Sequence, residues 1–169
     1  MIAVQPTTEK MFQVACSTLE IDLITFDFSS PKPAFIPIKH GFVRQALDRG
    51  IFFEIVYSGS ILDPARRRQA ILTSQTICRV TKGKNVIFTS GADNEWILRA
   101  PADAMNLAGV FGIPAHQRKQ SIQDTQRKLI EHAASRKLTY RTAVASIPED
   151  VFTGVKEPEN DLQEDFIKF

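Results

Sequence analysis

The first residues to weigh are acids placed where a carboxylate is costly. Glu54 interrupts the apolar run "IFFEIVYS" (51–58), with Phe53, Ile55 and Tyr57 on the opposite pleat, and Asp27 stands at the end of "LITFDF" (23–28). A carboxylate there is either a general base or metal ligand at the mouth of a sheet, or half of a buried ion pair with an arginine. Of the three histidines, His40 precedes a helix pattern, and His116 and His132 lie in the basic region that follows. None is at a strand end. No HxH, HExxH, CxxC, GxSxG or GxxxxGK[ST] spacing occurs, so no metal cluster, nucleophile elbow or phosphate loop is predicted.

The cations are better organised. Arg66, Arg67 and Arg68 fill the first turns of a predicted helix, the end at which its dipole disfavours cations by roughly 0.3–1 kcal/mol each. Lys82 and Lys84 bracket Gly83, and Arg99 precedes Pro101. The stretch "HQRKQSIQDTQRKLIEHAASRKLTYR" (116–141) adds Arg118, Lys119, Arg127, Lys128, Arg136, Lys137 and Arg141 against Asp124 and Glu131 alone. Its basic pairs recur every nine residues, about 900° around a helix, so they alternate faces rather than form one stripe. Such a helix is either a solvated surface or a phosphate-binding face.

These groups need a scaffold. The 169 residues suggest one domain with a core of ordinary size; 43% are hydrophobic, 24% are charged, and the net charge is +2. That charge alone is too small to argue for nucleic acid. No apolar run is long enough to cross a membrane, and the first residues lack the marks of a signal peptide. Cys16 and Cys78, each among apolar residues, read as buried free thiols.

Strands are expected at Ile2–Gln5, Leu23–Phe28, Ile51–Ser58 and Asn85–Ser90. A helix after Thr7-Thr8-Glu9 is expected to pack through Met11, Val14, Ala15 and Leu19. Further helices fall around Phe42–Leu47, at Pro64–Lys82, at Pro101–Phe111 and from about Pro114 to Arg136, with Gly50 and Gly83 suited to C′ positions. "SSPKPAFIPIK" (29–39) reads as a loop. Alternation of strand and helix predicts an α/β fold with a parallel sheet, either a small open sheet or half of a βα barrel. Functional groups then belong at the strand carboxyl ends, among them Tyr57 and Ser58. The final acidic residues, 146–169, read as a disordered tail.

Three runs carry a resemblance. "ALDRGIFFEIVYSGSILDPARRRQAI" (46–71), "KGKNVIFTSGA" (82–92) and "LRAPADAMNLAGVFGI" (98–113) closely resemble the p30-type protein subunit of ribonuclease P and ribonuclease MRP, in its eukaryotic form. "IAVQPTTEKMFQVACSTLEIDLIT" (2–25) and "DTQRKLIEHAASRK" (124–137) fit the same family, so the match covers about residues 2–140. The resemblance implies a barrel related to the metal-dependent PHP phosphoesterases but lacking most of their metal-binding histidines. It implies no cofactor, and catalysis by an RNA subunit that removes the 5′ leader of precursor tRNA. The implied partners are that RNA and a small ferredoxin-like subunit, in the nucleus and nucleolus, with no membrane. Family members carry about another half-barrel before the position of Ile2, so residues 1–145 are expected to be the C-terminal half of such a barrel.

Within that reading, Arg66, Arg67, Arg68, Lys82, Lys84, Arg99, Arg127, Lys128, Arg136 and Lys137 are the candidates for RNA or partner contact. Arg67 or Arg68 is expected to be structural, or one of the three arginines to pair with Glu54 or Asp63. Asp27, Glu54, Tyr57 and Ser58 are the polar groups at strand ends. A PHP-type phosphoesterase using Glu54 and Asp27, and a scaffold that binds only protein, are the alternatives.

Overall fold

A computed structural model describes residues 1–26 and 38–138; Asp27, most of the proline-rich loop and residues 139–169, the acidic tail among them, lie outside the described residues. Four strands, β1 (Ala3–Val4), β2 (Leu23–Ile24), β3 (Phe52–Val56) and β4 (Val86–Thr89), form one sheet in the order β1-β2-β3-β4. Every neighbouring pair is parallel, with Leu23 opposite Phe52 and Phe53 opposite Val86. The helices are α1 (Glu9–Ser17), α2 (His40–Asp48), α3 (Ser58–Leu62), α4 (Pro64–Thr81), α5 (Pro101–Val110), α6 (Arg118–Ile122) and α7 (Asp124–Leu138). Consecutive βα units in sequential strand order are the connectivity of a barrel segment.

The pleat separates two packed faces. Ile24, Phe53, Ile55, Val86 and Phe88 point to one side and meet Phe12, Ala15 and Cys16 of α1, Val43 and Ala46 of α2, and Ala70, Ile77 and Cys78 of α4. Fully burying one such aliphatic or aromatic side chain contributes about 1.5–3 kcal/mol. Leu23, Phe52 and Ile87 point to the other side, where Leu129 of α7 covers them. The two cysteines are free and buried, and desolvation pushes both thiols up to about 12, which makes them inert packing groups.

Local chemistry sets the ends. Thr8 accepts the Met11 N–H to cap α1, and Asp63 accepts the Ala65 N–H ahead of Pro64 to cap α4. Lys82 and Gly83 both adopt positive φ, 54° and 71°, to close α4. A Cβ on Gly83 would lie 1.7 Å from the Gln117 carboxamide oxygen, so this turn needs glycine.

Several expectations change. The buried face of α1 is Phe12, Ala15 and Cys16, whereas Met11, Val14 and Leu19 are exposed; the face that carries the large ring and two small residues fits against the sheet. β3 covers Phe52–Val56 of the expected Ile51–Ser58, and Ser58 opens α3 instead of ending the strand. The helix expected from Pro114 to Arg136 is a 3-10 turn followed by two helices broken at Gln123. Glu54 forms no ion pair with an arginine among the described residues. Its carboxylate accepts the Thr89 hydroxyl at 2.8 Å from the adjacent strand, on the second face of the sheet, where it is half-buried and needs no guanidinium.

Candidate nucleic-acid interface

The expected site residues divide between opposite ends of the sheet. At the carboxyl end, Tyr57 is buried and its hydroxyl accepts the Arg99 backbone N–H at 3.2 Å, while the Ser58 N–H donates to the Ser90 carbonyl. The arginines beside them are largely committed. Arg66 lies 3.6 Å from Asp63 at the surface. Arg67 donates Nε–H to the Ser60 carbonyl at 2.6 Å and an Nη2 hydrogen to the Ile61 carbonyl at 3.3 Å. Cations at the start of α4 also stand at the end of α3, whose carbonyls lack helical partners. The local arrangement therefore supplies the acceptors that offset the unfavourable dipole of α4. Arg68 is exposed and forms no ion pair or side-chain hydrogen bond among the described residues. Arg99 folds back, donating from Nη1 to the Trp96 and Leu98 carbonyls. Trp96 beside it is 81% exposed, a feature that no pattern in the sequence marks.

The other end of the sheet gathers several cations without partners among the described residues. Lys82 and Lys84 flank the left-handed turn that leads into β4, and so stand at the amino end of a strand. They line an open groove of about 530 Å³ together with His40 and Arg44 of α2; Asp48 is the one acid in its wall. Lys84 also borders a smaller polar pocket of about 180 Å³, whose opposite wall holds Lys128 of α7. Among the described residues, Arg44, Lys82, Lys84 and Lys128 form no ion pair or side-chain hydrogen bond. Cations drawn from α2, α7 and the α4–β4 turn thus converge around Lys84. Arg44 and His40 escape sequence reasoning because they reach the lysines only through the packing of α2 against α4.

Arg136 leaves the set of available cations. It donates Nε–H and Nη2–H to Asp22 at 2.7 and 2.9 Å, in the bidentate geometry that suits a guanidinium. Asp22 is fully buried at the start of β2, and it also accepts the Ile2 N–H at 2.6 Å. The His132 ring nitrogen Nδ1 lies 3.4 Å away. Burial alone raises the Asp22 pKa. The hydrogen bonds from Arg136 and Ile2 and the charges of Arg136 and His132 outweigh burial, so the carboxyl titrates below its ordinary range. This cluster pins the end of α7 to the sheet. Arg127 lies on the same helix, and Lys137 is exposed in its last turn.

A sheet with several cations gathered at one end can hold successive phosphates of a polyanion. Comparison with known proteins identifies the family. The sequence model of the family RNase P subunit p30 matches residues 1–138. The chain is 36% identical over 144 residues to Protein GAMETOPHYTE DEFECTIVE 1 of Arabidopsis thaliana, covering 85% of this chain and 24% of that one. It is 34% identical over 140 residues to the ribonuclease P protein subunit p30 of Mus musculus, covering 83% of this chain and 52% of that one. It therefore spans about half or less of the length of these relatives. A chain in the cryo-EM structure of archaeal ribonuclease P with mature tRNA shares the fold, with a TM-score of 0.68 over 89% of this chain and 65% of that chain, at 15% identity.

Proposed function

Since this chain belongs to the RNase P subunit p30 family, we propose that it serves as a non-catalytic protein subunit of the ribonuclease P ribonucleoprotein, and of ribonuclease MRP. The family match over residues 1–138 carries this reading, and the basic amino end of the sheet supports it physically. In this role the chain binds the RNA of the particle through its phosphates, and the RNA removes the 5′ leader of precursor tRNA. A small ferredoxin-like subunit is its protein partner, precursor tRNA is met indirectly, and the particle works in the nucleus and nucleolus.

The contact residues we assign are Arg44, Lys82, Lys84 and Lys128, with Arg68 as an outlying contact. Phosphate contact needs cations that can leave water without leaving a carboxylate or carbonyl unpaired, and among the described residues these five hold none. Arg67, Arg99 and Arg136 hold carbonyls or a carboxylate of the chain itself. The test is recovery of the tagged chain from nuclear extract, followed by assay of the bound material for cleavage of precursor tRNA. Cleavage that disappears when the recovered RNA is digested is the expected result. Cleavage that survives digestion, or material without cleavage, counts against the proposal.

A further inference from the structure

We propose that the acidic segment of this chain, around residues 149–165, docks in the groove lined by His40, Arg44, Lys82 and Lys84, and competes there with RNA. The competition rests on the RNA-binding role assigned to that groove; the docking does not. Seven carboxylates stand between Glu149 and Asp165, against Lys156 alone. Among the described residues the groove offers three cations without partners, Arg44, Lys82 and Lys84, and one acid, Asp48, so its charge is opposite to that of the segment.

The path of the chain favours this occupant. α7 ends at Leu138, two residues after Arg136, and Arg136 is held on Asp22 where β2 begins. The segment therefore departs from the amino end of the sheet, the end that carries Lys82 and Lys84. β2 and β4 flank β3, so their starts are two strand spacings apart, about 10 Å, and the segment must also pass from the face covered by α7 to the face covered by α2 and α4. The ten residues 139–148 reach up to about 33 Å when extended, which is ample. A segment tethered at that distance has an effective concentration in the millimolar range, enough for weak ionic contacts to be populated. Those contacts are screened at higher salt.

The test compares the full chain with a variant in which the seven acids are replaced by their amides (Glu→Gln, Asp→Asn). Affinity for a 20-nucleotide oligouridylate is measured across a salt series. In parallel, a carbodiimide couples carboxylates to the amines they touch in the full chain. The expected results are about five- to tenfold tighter RNA binding by the variant near 50 mM salt, an advantage that fades with added salt, and crosslinks joining residues 149–165 to Lys82 or Lys84. Equal RNA affinity of two chains that both bind overturns the proposal and leaves the RNA-binding role standing. If neither chain binds RNA, that role fails. The crosslinks then decide the docking, their presence upholding it and their absence overturning it.

Discussion

Replacement of Asp22 by Asn tests whether the end of α7 is held by a buried charge. Asp22 is fully buried and accepts three hydrogen bonds of 2.6–2.9 Å, from Ile2 and from two nitrogens of Arg136. Asparagine has nearly the same shape but only one accepting oxygen, and its NH₂ group would face donors. Arg136 keeps 27% of its side chain in solvent, so loss of the Asp22 charge costs less than in a fully buried pair, about 2–3 kcal/mol, still a sizeable share of the roughly 5–15 kcal/mol that stabilises a domain. The pH dependence has a definite sign. The folded-state pKa of Asp22 is depressed, so its contribution is fully present above the unfolded value of about 4 and is lost as pH falls through the folded value. The wild-type advantage over Asp22→Asn should thus be large near pH 7 and shrink below about pH 4. Urea denaturation followed by far-ultraviolet circular dichroism at both pH values measures it. A difference under about 0.5 kcal/mol near pH 7, or one independent of pH, would refute the reasoning.

Other consequences can be checked on the same material. Leu129→Ala should cost about 2–4 kcal/mol in chemical denaturation, because Leu129 is buried over Leu23, Phe52 and Ile87, and hydrogen exchange should increase along α7. Gly83→Ala should destabilise by at least about 1 kcal/mol, since the residue has φ of 71° and Gln117 occupies the Cβ position; Gly59→Ala, in α3 with nothing within 4 Å, should be neutral or slightly stabilising in thermal melts. Joint replacement of Lys82, Lys84 and Lys128 by Ala should weaken RNA binding for all sequences and flatten the slope of log affinity against log salt by about 2–3. Arg67→Ala should lower the melting temperature while leaving that slope unchanged.

Much of the scaffold is legible in sequence because its signals are local. β3 and β4 are apolar runs, α4 and α5 open on Pro64 and Pro101, and the turn after α4 contains Gly83. Short or interrupted elements are not legible in this way. The five residues of α3 begin Ser-Gly-Ser, and Gln123 breaks a helix whose charge pattern continues through it. The face of α1 is only partly legible: Ala15 packs as expected, but hydrophobicity alone does not distinguish Met11 and Val14 from Phe12 and Cys16, which fit the sheet. The site was legible in composition and not in geometry. Lys82, Lys84 and Lys128 could be named from the sequence. Their gathering with Arg44 at the amino end of the sheet depends on helix packing. The pairing of Asp22 with Arg136 spans 114 positions, and Asp22 looks like an ordinary polar residue before a strand.

The most direct test of the RNA-binding account is to photocrosslink the assembled particle and map the chain positions joined to RNA by mass spectrometry. The account predicts adducts at the turn around Lys82 and Lys84 and near Lys128 in α7. Adducts confined to the opposite end of the sheet, around Arg66, Arg68 and Trp96, would contradict it.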